Sequence, residues 1–243
     1  AAARIQDTVL RNSWFWFWCP LLAVVCLDFD TILLKPYETL SALLVLCWIG
    51  LLADRIMGSG VSKKDILLFG VSGALLFCLY YFWWFFVFPT LLVLVCLERT
   101  RVQKQTVLSL AGIVLLMGAG SAGYWLPLLW SLIRYGMENW QATFFTPQDV
   151  VTFVPWAHLS LIGLITGFGL FSLVWLWQRS LPRVLGLLAT MMYTYAFVNL
   201  ALFAFGHPPA QPTKAFLFLG TLLFLTSAVY GSFVLLERYE QRV

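Results

Sequence analysis

The chain contains 243 residues, of which 61% are hydrophobic and 11% are charged, and its mean hydropathy is +0.87. Soluble domains contain about a quarter charged residues, so this composition excludes an ordinary soluble domain. The net charge of +4 comes from basic residues in the loops between apolar runs. It therefore indicates membrane topology and does not indicate a nucleic-acid partner.

Long apolar runs recur along the whole chain. A run of about 18 or more residues crosses roughly 30 Å of hydrocarbon as a helix. The pattern therefore predicts an all-α fold, a polytopic transmembrane helix bundle that forms a single integral membrane domain over residues 1–243. About eight membrane segments are predicted, at residues 14–29, 38–53, 65–82, 84–97, 106–123, 157–177, 184–205 and 215–236.

The third and fourth predicted segments abut through the aromatic stretch YYFWWFFVFP. The fourth is short for a full span, because a membrane helix needs about 20 residues. The two segments are either a short hairpin that dips into the membrane and returns, or two spans joined by an aromatic elbow at the interface.

Basic residues distinguish the two sides of this arrangement. One side carries three of them, namely Lys35, Arg134 and Lys214. The other side carries twelve, namely Arg4, Arg11, Arg55, Lys63, Lys64, Arg99, Arg101, Lys104, Arg179, Arg183, Arg238 and Arg242. Because cytoplasmic loops are enriched in Lys and Arg, the side with twelve is predicted to be cytoplasmic, together with both termini.

Two acidic residues follow the first predicted segment, in the sequence LDFD. Asp28 and Asp30 form a D-x-D pair on the outer side, a pattern that can hold a divalent metal or act in sugar transfer. A span that ends where it reaches water explains the same residues. Asp28 and Asp30 are therefore candidates for metal or polar contacts, with this simpler explanation left open.

Two glycine motifs lie within apolar segments. GAGSAG (118–123) matches the G-x-G-x-x-G spacing of dinucleotide sites, but it follows an apolar helix and not a strand. Gly163 and Gly167 form a G-x-x-x-G pair, which is typical of closely packed membrane helices. Both motifs are interpreted as helix-packing positions.

The long outer connection at residues 124–156 is not predicted to cross the membrane. Trp125, Trp130 and Arg134 lie at helical spacing and predict a short amphipathic helix in the membrane interface. Beyond it, aromatic rings alternate with amide and acidic side chains, a combination suited to stacking on a sugar and binding its hydroxyls. An aromatic belt at the interface explains the rings equally well. The candidate acceptor- or sugar-binding residues are Trp140, Phe144, Phe145, Gln148 and Asp149.

The few polar residues of the later segments allow two further interpretations. His158 and His207 lie near the outer ends of predicted spans, and haem or chlorophyll ligation by either is an alternative. Tyr193, Tyr195 and Asn199 form the cluster at mid-depth that a transporter would use.

The last outer loop, FGHPPAQPTKAFLF (205–218), contains His207, three prolines and Lys214 between two apolar runs. A stiff turn with an interfacial anchor explains this composition. A binding site for an anionic headgroup also explains it, because the outer side carries only three cations.

Several stretches together carry a family resemblance. They are KPYETLSALL, GYWLPLLWSLI at the end of a span, FFTPQD in the long outer loop, LLATMMYTYAFVNLAL, and the cation that opens the last span. In this order, over about residues 30–236, the chain resembles the C-terminal half of the membrane domain of the galactan arabinofuranosyltransferases of actinobacterial cell walls. These enzymes are polyprenyl-phosphate-dependent glycosyltransferases of the GT-C superfamily.

The resemblance implies a membrane glycosyltransferase of the cell envelope, in a bacterial-type plasma membrane. Its donor would be a polyprenyl-phosphate sugar in the outer leaflet, and its reaction an inverting transfer of an arabinofuranosyl-like group to an acceptor hydroxyl. Lys214, helped by His207, would bind the donor phosphate and stabilise its developing charge. Trp140, Phe144, Phe145, Gln148 and Asp149 would line the acceptor side.

Two departures from the family pattern affect these expectations. Family members have further spans ahead of this region, and their catalytic acidic residue lies in the first outer loop. The sequence begins AAARIQDTVL, without methionine, so a partner chain or an N-terminal half is expected and no catalytic residue is assigned. Where the family has Arg at the start of the last span, this chain has Lys214, which lacks the bidentate guanidinium.

Two other functions remain open. The first is a non-catalytic accessory membrane subunit whose aromatic faces pack against partner helices or pigments in a larger complex. The second is a lipid or small-solute transporter. Membrane lipids are expected partners in every case.

Overall fold

The computed structural model describes residues 36–58, 60–98, 104–136, 161–206 and the single residue 222. The described part of the chain is all helical, with seven α-helices, one 3₁₀ turn and no strands. The elements are α1 (Pro36–Met57), α2 (Lys63–Leu79), the 3₁₀ turn (Tyr81–Trp83), α3 (Trp84–Leu97), α4 (Lys104–Gly120), α5 (Ala122–Tyr135), α6 (Leu161–Trp175) and α7 (Ser180–Ala204). The predicted helical class is therefore confirmed for these residues.

Fewer membrane spans are found than the eight predicted. Two helical stretches, Leu40–Met57 and Leu181–Ala204, are long and apolar enough to cross a membrane on their own. Two bent pairs, α2 with the turn and α3, and α4 with α5, pass the same test only when each pair is taken as one span, which gives at most four candidate spans among the described residues. The physical reason is length, since helices of 14 and 17 residues reach only about 21 and 26 Å. The predicted segments 14–29 and 215–236 lie outside the described residues.

Local signals explain where α2 begins and ends. Ser62 accepts a hydrogen bond from the Asp65 backbone N–H at 3.2 Å, and the Asp65 carboxylate accepts one from the Ser62 N–H at 2.9 Å. This capping box satisfies two N–H groups that a helix start leaves unpaired. At the other end Tyr80 is extended, with φ −161° and ψ 98°, and the chain bends by 117° before α3.

α2 and α4 pack closely and run in the same direction. A Cβ atom placed on Gly70 would lie 2.6 Å from Cβ of Leu116, and one placed on Gly120 would lie 2.9 Å from Cβ of Ala74. Residue numbers rise together along both helices, so the pair is parallel. Glycines at this seam allow the backbones to approach where any larger side chain would clash.

The parallel pair requires the chain to turn back between α2 and α4. The 3₁₀ turn and α3 provide this return, which both predicted arrangements of YYFWWFFVFP have in common. α3 is 14 residues long and contributes the fully buried Trp84 and Phe86 to the core. The core is completed by α1 and α7, which supply Ile49, Leu52, Leu188 and Met192.

Contacts between neighbouring helices give the bundle two distinct ends. α1 is antiparallel to α2, because Arg55 lies 3.8 Å from Asp65 and the Tyr37 and Tyr80 rings lie 6.1 Å apart. α7 is antiparallel to α3, because Arg183 pairs with Glu98 while Tyr195 lies against Phe82 and Phe86. We call one end the basic end, defined by Arg55, Lys63, Lys64, Lys104, Arg179 and Arg183. This grouping agrees with the alternation of basic loops predicted from the sequence.

Substituting Gly70 by alanine tests the α2–α4 seam. The new methyl group would meet Cβ of Leu116 at 2.6 Å, so we expect Gly70→Ala to destabilise the fold by about 1–3 kcal/mol. Gly118→Ala is the matched control, because nothing lies within 4 Å of the added atom. It gains the same helix propensity, up to about 1 kcal/mol, without the clash. Equal melting temperatures of the two variants in detergent would contradict the close packing.

The Glu98–Arg183 ion pair ties the end of α3 to the start of α7. Arg183 also donates a hydrogen bond from Nε to the Trp177 carbonyl at 3.1 Å, and Glu98 is buried. Breaking a buried pair costs roughly 3–5 kcal/mol, since one charge stays buried without its partner. We therefore expect Glu98→Gln and Arg183→Gln each to lower the free energy of unfolding strongly, and the double variant to cost far less than their sum.

A denaturant titration of the reconstituted protein measures this coupling. The control is Arg55→Gln, because the Arg55 side chain is 51% exposed and its 3.8 Å contact with Asp65 is screened by solvent. We expect only a small change for this variant. Additive losses in the Glu98 and Arg183 variants would show that the two residues act independently.

Candidate functional site

The site residues predicted from the sequence lie outside the described part of the chain. Their roles in binding phosphate, sugar, metal or pigment therefore stay predictions. They are Asp28, Asp30, Trp140, Phe144, Phe145, Gln148, Asp149, His158, His207 and Lys214.

A group of four tyrosines lies at the end of the bundle opposite the basic end. Tyr37 belongs to α1, Tyr80 and Tyr81 lie at the break after α2, and Tyr124 belongs to α5. Successive ring centroids are 6.1, 6.3 and 6.1 Å apart in the order Tyr37, Tyr80, Tyr81, Tyr124. We call these four residues the tyrosine patch. Tyr37 is 48% exposed and Tyr124 is 41% exposed, so the rings at both ends of the patch are open to ligands or lipid.

A buried carboxylate adjoins the tyrosine patch. Glu38 is only 3% exposed, and its Oε1 accepts a hydrogen bond from the Tyr37 hydroxyl at 3.4 Å. The same carboxylate is close enough to Tyr80 to interact electrostatically with its phenol. Burying a carboxylate costs several kcal/mol before its partners offset the loss of water. An ionisable side chain at such a position in a membrane protein is therefore a candidate for function.

Hydrogen bonds join the backbone of Glu38 to the aromatic turn. Trp83 Nε1 donates to Ser41 Oγ at 2.9 Å, and Ser41 Oγ donates to the Glu38 carbonyl at 2.9 Å. The chain Trp83–Ser41–Glu38 joins the 3₁₀ turn to the first turn of α1. The Tyr80 and Trp83 rings lie 4.9 Å apart, which extends the same connection to the patch.

Sequence reasoning missed both Glu38 and the tyrosine patch. Glu38 opens a predicted apolar segment, and an acidic residue at that position was the available signal. The tyrosines come from three separate parts of the chain, and only Tyr80 and Tyr81 are neighbours in sequence. Nothing in the local pattern indicates that Tyr37 and Tyr124 join them.

The mid-depth cluster considered for transport has a packing role in the structure. The Asn199 side-chain amide donates to the Tyr195 carbonyl one turn earlier, at 2.9 Å. The Tyr195 ring meets Phe86 edge-on, with centroids 5.3 Å apart. The first contact lies within α7 and the second packs α7 against α3, and neither gives separate support to a transport pathway.

The tyrosine patch and Glu38 together have the chemistry of a carbohydrate contact surface. Exposed phenol rings present apolar faces, and their hydroxyls donate and accept hydrogen bonds. No protein-family model matches the sequence, and no curated protein matches it.

Two adjacent tryptophans test the hydrogen bond that holds the site. Trp83 and Trp84 are both almost fully buried, but Trp84 Nε1 has no hydrogen-bond partner among the described residues. Replacing either tryptophan by phenylalanine removes the same ring atoms, including Nε1. Since a buried hydrogen bond contributes about 1 kcal/mol and an unpaired donor costs about 1–3 kcal/mol, we expect Trp83→Phe to be clearly more destabilising than Trp84→Phe. Thermal unfolding of the two variants measures the difference, and the reverse order would refute the role of the Trp83–Ser41 bond.

Proposed function

We propose that this chain is the C-terminal membrane half of a GT-C-type glycosyltransferase, binding a polyprenyl-phosphate sugar on the outer face of a bacterial-type plasma membrane. The tyrosine patch end then faces outward, and the basic end and both termini face the cytoplasm. The transferred group is an arabinofuranosyl-like sugar, in keeping with the family resemblance. The catalytic acidic residue belongs to a preceding N-terminal half or a partner chain.

The observation that carries this proposal is the tyrosine patch beside the buried Glu38 carboxylate. An interfacial aromatic belt needs exposed rings, but it does not need a carboxylate that is 3% exposed and hydrogen-bonded to one of those rings. A sugar-binding surface uses exposed rings that stack on the sugar and polar groups that orient its hydroxyls, and the buried carboxylate holds the Tyr37 hydroxyl in place for this role.

The sugar and the phosphate of the substrate bind two different regions. The tyrosine patch, with exposed rings at Tyr37 and Tyr124, suits the uncharged sugar. Lys214 and His207 in the last outer loop then bind the phosphate. The acceptor binds the stretch that contains Trp140, Phe144, Phe145, Gln148 and Asp149. The phosphate-binding loop follows α7, and the acceptor-binding stretch follows α5.

The directions of the described helices support a polytopic arrangement. α2 and α4 run parallel, with α3 returning between them, so three passes connect the basic end with the patch end. The short helices of these passes need thinner hydrocarbon or flanking residues that snorkel to the surface.

A ligand-binding comparison in lipid nanodiscs tests the proposal. The probes are a polyprenyl-phosphate sugar and the corresponding polyprenyl phosphate without the sugar. We expect Tyr81→Ala to weaken binding of the sugar-bearing lipid several-fold, since an aromatic contact contributes about 1 kcal/mol. Lys214→Ala is expected to weaken binding of both lipids at least tenfold, because a charge-assisted bond contributes about 1.5–3 kcal/mol. Tyr135→Ala, at an exposed ring outside the patch, is the control.

Two results would overturn the proposal in different ways. Binding of both lipids with no effect of Tyr81→Ala would remove the patch from the sugar site. Absence of binding to either lipid would favour the accessory subunit, a non-catalytic chain that packs against partner helices.

A further inference from the structure

α5 differs from the other described helices in its position. It leaves α4 at an angle of 72°, and none of its residues is buried. With 14 residues it is about 21 Å long, shorter than the roughly 30 Å of hydrocarbon, and unlike α3, which has the same length, it buries no residue in the bundle. The described bundle does not bury any side of α5, so lipid, water or another protein must surround it.

The residues of α5 divide into a polar stripe and a broad apolar arc. Gly123, Pro127, Ser131 and Arg134 recur every three or four residues and share one side of the helix. The other side carries five large apolar side chains that are 40–72% exposed, namely Leu126, Leu128, Leu129, Leu132 and Ile133, and the exposed Trp130 borders the stripe. An arc of this size in water is unfavourable, so it indicates contact with lipid or protein.

The elbow between α4 and α5 is held by specific contacts. Trp125 Nε1 donates to the Gly118 carbonyl at 2.8 Å, across the bend. The Tyr124 ring lies 6.2 Å from Phe77 of α2 and 6.1 Å from Tyr81 of the tyrosine patch. The direction of α5 is therefore fixed relative to both the bundle and the patch.

We infer that α5 binds the membrane surface as an interfacial helix and, through Tyr124, holds the tyrosine patch at the depth of the lipid headgroups. The apolar arc then enters the acyl boundary, and the stripe with Arg134 faces water, as in interfacial helices generally. The commitment to lipid follows from continuity along the chain, because α5 directly follows α4, whose Leu108 and Leu115 are also apolar and 72% and 73% exposed. This inference is independent of the proposed sugar transfer.

Depth-dependent fluorescence quenching tests the orientation. The full chain, with its five native cysteines replaced by alanine, is given single labelled cysteines and placed in phosphatidylcholine nanodiscs. Quencher lipids carry a spin label at the headgroup or at a shallow or deep acyl position, and iodide quenches from water. Leu126→Cys and Ile133→Cys sample the arc of α5, and Ser131→Cys samples its polar stripe.

The matched control is a pair on α4 with the same seven-residue spacing, Leu108→Cys and Leu115→Cys. Seven residues span about 10 Å along a helix axis, so the α4 labels must lie at clearly different depths if α4 is steep. We expect the two α5 labels to lie at the same shallow depth, protected from iodide, and the Ser131→Cys label to be open to iodide. Variants are compared only where melting temperature and elution profile match those of the cysteine-free parent, and Leu129→Cys replaces any that fails.

Two outcomes would overturn the inference. A depth difference between the α5 labels equal to that of the α4 pair would make α4 and α5 one broken span. If iodide quenches the labels on the arc, the arc faces water. If none of the lipid quenchers quenches them, the arc lies against protein.

Discussion

The close parallel contact between α2 and α4 is the constraint on which the rest of the described structure depends. Leu116 reaches the α2 backbone at Gly70 because no side chain occupies the space between them. Two neighbouring helices that run the same way require a return between them, and α3 supplies it. The same geometry groups the starts of both helices, with Lys63 and Lys104, at one end. It groups their ends, with Tyr80 and Tyr124, at the other.

The short return also explains why aromatic residues are concentrated around it. α3 must fill the space between longer helices with few residues, and large buried rings do so efficiently. Trp48 and Trp84 meet edge-to-face with centroids 5.0 Å apart. Trp83 reaches the polar start of α1 through Ser41. The hydrogen-bonded surroundings of Glu38 are thus a consequence of how the chain turns.

Helical boundaries were predictable from the sequence to within a few residues, because apolar runs and flanking charges are local signals. Six of the eight predicted segments coincide with described helices. The number of independent spans was not predictable, since a length of 14 residues for α3 is compatible with crossing or with re-entry. The packing role of glycine was assigned partly to the wrong positions. Gly120 contacts α2, whereas Gly118 and Gly123 meet open space, and Gly70 was not singled out.

The groups at the patch end indicate what kind of ligand would suit it. The exposed rings and hydroxyls of Tyr37 and Tyr124 suit a neutral, hydroxyl-rich group. The outer cations predicted from the sequence, which suit an anionic group, are Lys35 directly before α1, Arg134 in α5 and Lys214 in the last outer loop. A ligand that satisfies both regions has a neutral, hydroxyl-rich part joined to an anionic part and to an apolar tail. A lipid-linked sugar phosphate has this order of groups, and under the proposed function its sugar would meet the rings at headgroup depth while its tail would remain in the hydrocarbon.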